Sequence, residues 1–125
     1  MKSYTDLSFA CLNLVDALYK NEDPAPAVQL LSEVCRRDPN VSACLAKLPR
    51  TPLPNFHDTS ALYAHIQAAI SGSSIEDNPN YLMLNLFTAD NAAQLLAHFP
   101  NKMLLSRGIL NFARSLKDEL TSITV

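Results

Sequence analysis

The chain predicts an all-α fold: six or seven short helices in antiparallel hairpins, with a repeat-like N-terminal hairpin and a single core. Three observations carry this. Apolar residues recur three and four positions apart in one segment after another, the period of a helix face. Asp-Pro pairs at Asp23-Pro24 and Asp38-Pro39, then Pro49, Gly72 and Pro100, punctuate those segments with helix start and stop signals. Finally, 48% of 125 residues are apolar, which suits one domain with a sizeable core and argues against a disordered chain.

The first helix is expected to begin near Ser3, with Ser3 and Asp6 at a loose capping-box spacing. Leu7, Cys11, Leu14 and Leu18 then share one face, widened by Ala10 and Val15. The polar run Lys20-Asn21-Glu22 ends it. Asp23 is placed to cap a second helix, with Pro24 at a position that has no intrahelical N–H bond to lose. Its predicted stripe is Ala27, Leu30, Leu31 and Val34, and Arg36 and Arg37 meet the negative end of its dipole. Asp38-Pro39 opens a third helix with Val41, Cys44, Leu45 and Leu48 inward. These elements form an N-terminal module over 3–48. A proline-rich connection follows at 49–56, and a C-terminal helical part spans 57–121.

Pro49, Pro52 and Pro54 read as a stiff connection, although Pro49 and Pro52 also make a PxxP spacing. The next helix starts at Asp58-Thr59-Ser60, carries Leu62, Tyr63, Ile66, Ala69 and Ile70, and stops at Gly72 in a left-handed cap. Residues 81–87 are apolar on nearly every side; the helical neighbours favour helix over strand. Thr88 or Asp90 is expected to cap a helix with Ala92, Leu95, Leu96 and Phe99 inward. The last helix is predicted over about 101–121, with Leu105, Ile109, Phe112, Leu116 and Leu120 buried despite Gly108, and the end frays from Ser122.

The stretch from about 7 to 40 resembles a single tetratricopeptide repeat. Ala27, Leu31, Val34 and Pro39 fall at the spacings of that repeat's small, aromatic, small and proline positions, and Leu14 and Leu18 match its first-helix leucine and tyrosine. Ala17-Leu18-Tyr19-Lys20 and Asp38-Pro39-Asn40 also read like repeat text. Val15 stands where the family has glycine, Leu31 where it has an aromatic, and Cys11 where it has tryptophan. One copy is visible, whereas stacked repeats need about three for stability. Asn91 to Leu96 with Phe99-Pro100 reads as an ordinary amphipathic helix.

A net charge of −2 and a pI near 5.8 argue against nucleic acid as the main partner. The longest apolar run is far too short to span a bilayer, and no secretory signal opens the chain, so the expectation is no membrane and a cytoplasmic location. Cys11, Cys35 and Cys44 form no CxxC pair and read as small buried hydrophobes in a reducing compartment, with a Cys11–Cys35 pair across the hairpin as the alternative. His57, His65 and His98 lack metal-ligand spacing. The acidic pairs Glu22-Asp23, Glu76-Asp77 and Asp118-Glu119 sit at turns or polar faces, where charge is solvated. No metal, cofactor or catalytic residue is assigned, and an enzyme is not expected.

What remains is a protein-binding reading: an adaptor, chaperone or assembly factor that accepts a partner helix or extended peptide in a helix-lined groove. Tyr19, Arg36, Arg37 and Tyr63 are the candidate contacts. Lys102, Arg107, Arg114 and Lys117 on the last helix form either a solvated face, diluted by Asp118 and Glu119, or a surface for an acidic partner. The alternative function is a small inhibitor or immunity-type protein that blocks a target enzyme, with Glu76-Asp77 as its acidic patch. A homodimer that completes the core is a further expectation.

Overall fold

The computed structural model describes residues 2–48, 58–72 and 80–123. It is all-α, with eight helices among the described residues: α1 (Lys2–Tyr19), α2 (Ala25–Arg37), α3 (Pro39–Ala46), α4 (Thr59–Ser71), α5 (Asn80–Thr88), α6 (Ala92–Ala97), α7 (Lys102–Ser115) and α8 (Lys117–Ile123). The ambiguous stretch 81–87 lies within α5 and is helical. The expected last helix is broken at Leu116; counted as one, it gives seven among the described residues, within the six or seven expected. The proline-rich connection, including its PxxP spacing, lies outside the described residues, as do His57 and Glu76-Asp77.

α1 and α2 run antiparallel. Ala17 near the end of α1 shares a pocket with Pro26 and Ala27, while Ser3 and Asp6 near its start share one with Val34 and Arg37. The turn is made by Asn21, at φ 58°. The Glu22 N–H reaches the Ala17 carbonyl at 2.9 Å and the Asn21 N–H reaches that of Leu18 at 3.3 Å. This is a Schellman ending, with asparagine in the place glycine usually takes. Asp23 then accepts from the Ala25 N–H at 3.0 Å.

Ser3 does not cap α1. It lies inside the helix, buried, and its hydroxyl donates to Asp38 Oδ1 at 3.0 Å while accepting from Asn40 Nδ2 at 3.1 Å. Asp38 Oδ1 also accepts from the Asn40 and Val41 N–H groups, so the cap of α3 is pinned to the first turn of α1. The buried face of α2 is also rotated from the expected one. Val28, Leu31 and Cys35 are buried, whereas Leu30 faces outward and Ala27 and Val34 are half-buried.

One apolar cluster draws residues from all eight helices, from Leu7 to Leu120. Phe87 meets Phe112 edge to face at 5.4 Å between ring centroids. α1 is the hub, packing on α2, α3, α7 and α8. α7 also packs on α4, where Gly108 allows close approach. A Cβ there would lie 2.8 Å from Ile70 Cδ1 and 3.1 Å from its Cγ1. Gly72 ends α4 at φ 78°, donating to the Ala68 and Ala69 carbonyls.

Gly108→Ala gains about 1 kcal/mol in helix propensity but collides with a β-branched side chain of few rotamers. The expected result is a net fall in melting temperature. Adding Ile70→Val, which deletes the nearest atom, should recover part of it, so the double variant melts above the sum of the single losses. Leu31 is fully buried in the α1/α2 seam. Leu31→Asp should abolish the folded state by placing an unpaired charge there, read by circular dichroism and size-exclusion chromatography.

Candidate functional site

The four sequence-predicted contacts do not converge. Tyr19, at the end of α1, is 82% exposed. Arg36 and Arg37 are exposed in the last turn of α2, at the opposite end of the hairpin, with Arg36 Nε 3.4 Å from the Ser32 carbonyl. Tyr63, expected as a contact, is instead withdrawn from the surface. It is 8% exposed, its hydroxyl donates to the Leu95 carbonyl at 2.7 Å, and its ring packs edge to face on Phe99 at 5.0 Å. Burial raises its phenol pKa. One turn into α4, it ties that helix to the α6 region and has no free edge to offer.

A different arrangement surrounds Tyr19. Val15 and Tyr19 of α1 face Met103, Arg107, Leu110 and Arg114 of α7 across an open groove of about 480 Å³. Met103 is 78% exposed. On the outward face of α1, Phe9 is 62% and Leu12 52% exposed. Of the large apolar side chains among the described residues, these four are the most exposed. The only charged residues lining the groove are Arg107 and Arg114. Among the described residues the salt bridges are Lys20–Asp16 and Lys47–Glu119, so neither arginine is in one.

The break at Leu116 explains why this side stays basic. α7 contains no acidic residue. Asp118 and Glu119, expected to dilute its charge, lie on α8, which turns away to pack against α3. Leu116 and Leu120, both buried, fix that turn, and the Leu120 N–H reaches the Leu116 carbonyl at 3.0 Å. In the sequence Arg107 and Arg114 stand out only as part of a basic helix. Their meeting with Tyr19 depends on α7 lying beside α1, which periodicity does not reveal.

The far side of α1 has the opposite sign. Asn13, Asp16 and Ala17 face Glu22, Asp23 and Leu30 across a pocket of about 290 Å³ whose charged lining residues are all acidic. Lys20 lies 3.1 Å from Asp16, which raises the lysine pKa. Farther along, Asp6, Glu33, Arg37 and Asp38 line a mixed-charge pocket of about 460 Å³ between α1, α2 and the start of α3.

Among the described residues, no group of three or more His, Cys, Asp or Glu is placed to hold a metal. His65 is half-buried on α4 and His98 is exposed at the end of α6. The free cysteines are buried. Burial pushes the Cys11 thiol up to about 12, helped by neighbouring Cys35, and burial pushes Cys35 to about 12 as well, far from a nucleophilic thiolate. Burial also raises Cys44, with a further push from Glu119. Among the described residues, no helix is long and apolar enough to cross a membrane. No protein-family model matches the chain, nor does any curated protein or solved structure.

The Glu119 carboxylate joins α8 to α3. It accepts from Lys47 Nζ at 2.7 Å, a bond that lowers the Glu119 pKa and raises that of Lys47. A depressed carboxyl pKa contributes stability above the ordinary carboxylate range, lost as pH falls through the folded value. Both groups are exposed, so the contribution is small and salt-sensitive. In a melting series from neutral to acid pH, Glu119→Gln should melt slightly lower at neutral pH and lose less stability on acidification than the parent.

Proposed function

We propose that this chain is a protein-binding module whose α1/α7 groove takes an acidic amphipathic helix or extended segment of a partner. One observation carries the reading: the α1/α7 groove, with Tyr19 and Met103 exposed along it, is lined by Arg107 and Arg114 and by no acid. Apolar anchors beside a charged rim are the anatomy of a recognition surface. The arginines add steering and sign selection toward a negative partner. The reading keeps the adaptor or assembly role expected from sequence, with Tyr19 retained, Tyr63 removed and the α7 residues in its place. The tetratricopeptide-like hairpin contributes one wall of the groove, α1, rather than a concave repeat surface.

The test uses the full tagged chain as bait, beside a Tyr19→Ala/Met103→Ala variant of unchanged melting temperature. A stoichiometric partner should bind the parent in a salt-dependent way and the variant about tenfold or more weakly. Equal binding to both baits would remove the groove from the reading. If the bound partner is an enzyme that loses activity in the complex, the inhibitor function replaces the adaptor one.

A further inference from the structure

We propose that the α1 face is also a self-association surface, on which a second copy of this chain sets its acidic α1/α2 edge over the basic α1/α7 groove. The inference goes beyond the partner reading and does not depend on it.

The argument is geometric. The two grooves flank the same part of α1: Asn13, Asp16 and Ala17 look toward α2, while the interleaved Val15 and Tyr19 look toward α7. They overlap along the helix between Asn13 and Tyr19 but on opposite sides, with Arg114 set farther toward the start of α1, where Lys117 lies over Tyr4. One is charged only by Asp16, Glu22 and Asp23, the other only by Arg107 and Arg114. A two-fold axis along α1 exchanges left and right but keeps level. It therefore places the acidic groove of each copy over the basic groove of the other, making the charge contact twice. An axis across α1 would set like over like. Lys20 partly offsets Asp16, so Glu22 and Asp23 carry most of the negative sign. Phe9, Leu12 and Tyr19, all exposed, then meet their own copies near the axis, removing from water an apolar ridge that runs along a helix about 27 Å long.

The experiment is sedimentation velocity on the full chain and two charge-swapped variants. One is Arg107→Glu/Arg114→Glu. The other is Asp16→Lys/Glu22→Lys, which spares the Asp23 carboxylate that bonds Ala25. All four positions are exposed, and melting temperature checks folding. Should either variant misfold, Arg107→Gln/Arg114→Gln gives the same reading by neutralisation. The parent should show a monomer–dimer equilibrium below about 200 µM at low salt, weakening at least tenfold at about 0.5 M salt, where the Debye length shrinks to a few Å. Each swapped variant should be monomeric alone, and their equimolar mixture should dimerise, because both contacts are then attractive again. A parent that stays monomeric overturns the inference and leaves the partner reading to its own test. It is also overturned by a dimer that survives in both variants, by a mixture that fails to recover, or by open-ended assembly in place of a dimer.

Discussion

Burial of α1 is the constraint on which the rest of the structure depends. Its inward face, Leu7, Ala10, Cys11, Leu14 and Leu18, is closed over by α2, α3, α7 and α8. Each buried leucine there contributes about 2 to 3 kcal/mol, more than any surface pair in the molecule. Both ends are set by polar contacts. At the start, Ser3 is bound to Asp38 and Asn40, which fixes where α3 begins. At the finish, left-handed Asn21 turns the chain so that α2 returns along the same helix. Helices too short to persist alone, such as α3 and α6, are held by this frame rather than by their own propensity.

That frame also separates charge. α1 stands between an acidic groove and a basic one, and the separation is produced by connectivity rather than composition. The chain is close to neutral as a whole. Breaking the last helical stretch at Leu116 sends Asp118 and Glu119 toward α3 and leaves Arg107 and Arg114 beside Tyr19. A straight helix over 101–121 would have kept both signs on one rod.

Much of the fold was legible in the sequence because local chemistry and tertiary packing agree. Asp38 and Asp58 cap the helices they precede, Gly72 ends α4 in the left-handed region, and Leu105, Ile109, Phe112, Leu116 and Leu120 are all buried as their spacing predicts. The departures have physical reasons. The α2 stripe is offset by one residue from its expected position because Leu30 and Leu31 are both apolar, and only the position of α1 decides which of them is buried. Ser3 looks like a cap because its partner, Asp38, is 35 residues away. The break at Leu116 has no proline or glycine to announce it. Tyr63 has the amphipathic character of a contact residue, but the Leu95 carbonyl that takes its hydroxyl is invisible to local pattern. The groove needs α7 beside α1, and no local signal encodes that.

The three buried thiols have a consequence of their own. With Cys11 and Cys35 held near 12, almost no thiolate exists in the folded state at physiological pH. Attack on them by oxidants or alkylating reagents must wait for an excursion that separates α1 from α2. Cys44 lies elsewhere, in α3 beside Glu119, and waits instead for α3 and α8 to part. The rate at each sulfur is then the intrinsic chemical rate multiplied by a local opening equilibrium. The protein thus carries two intrinsic kinetic probes, one for the hairpin and one for the α3/α8 junction. Oxidative damage to it would report how often each seam breathes rather than how exposed its surface is.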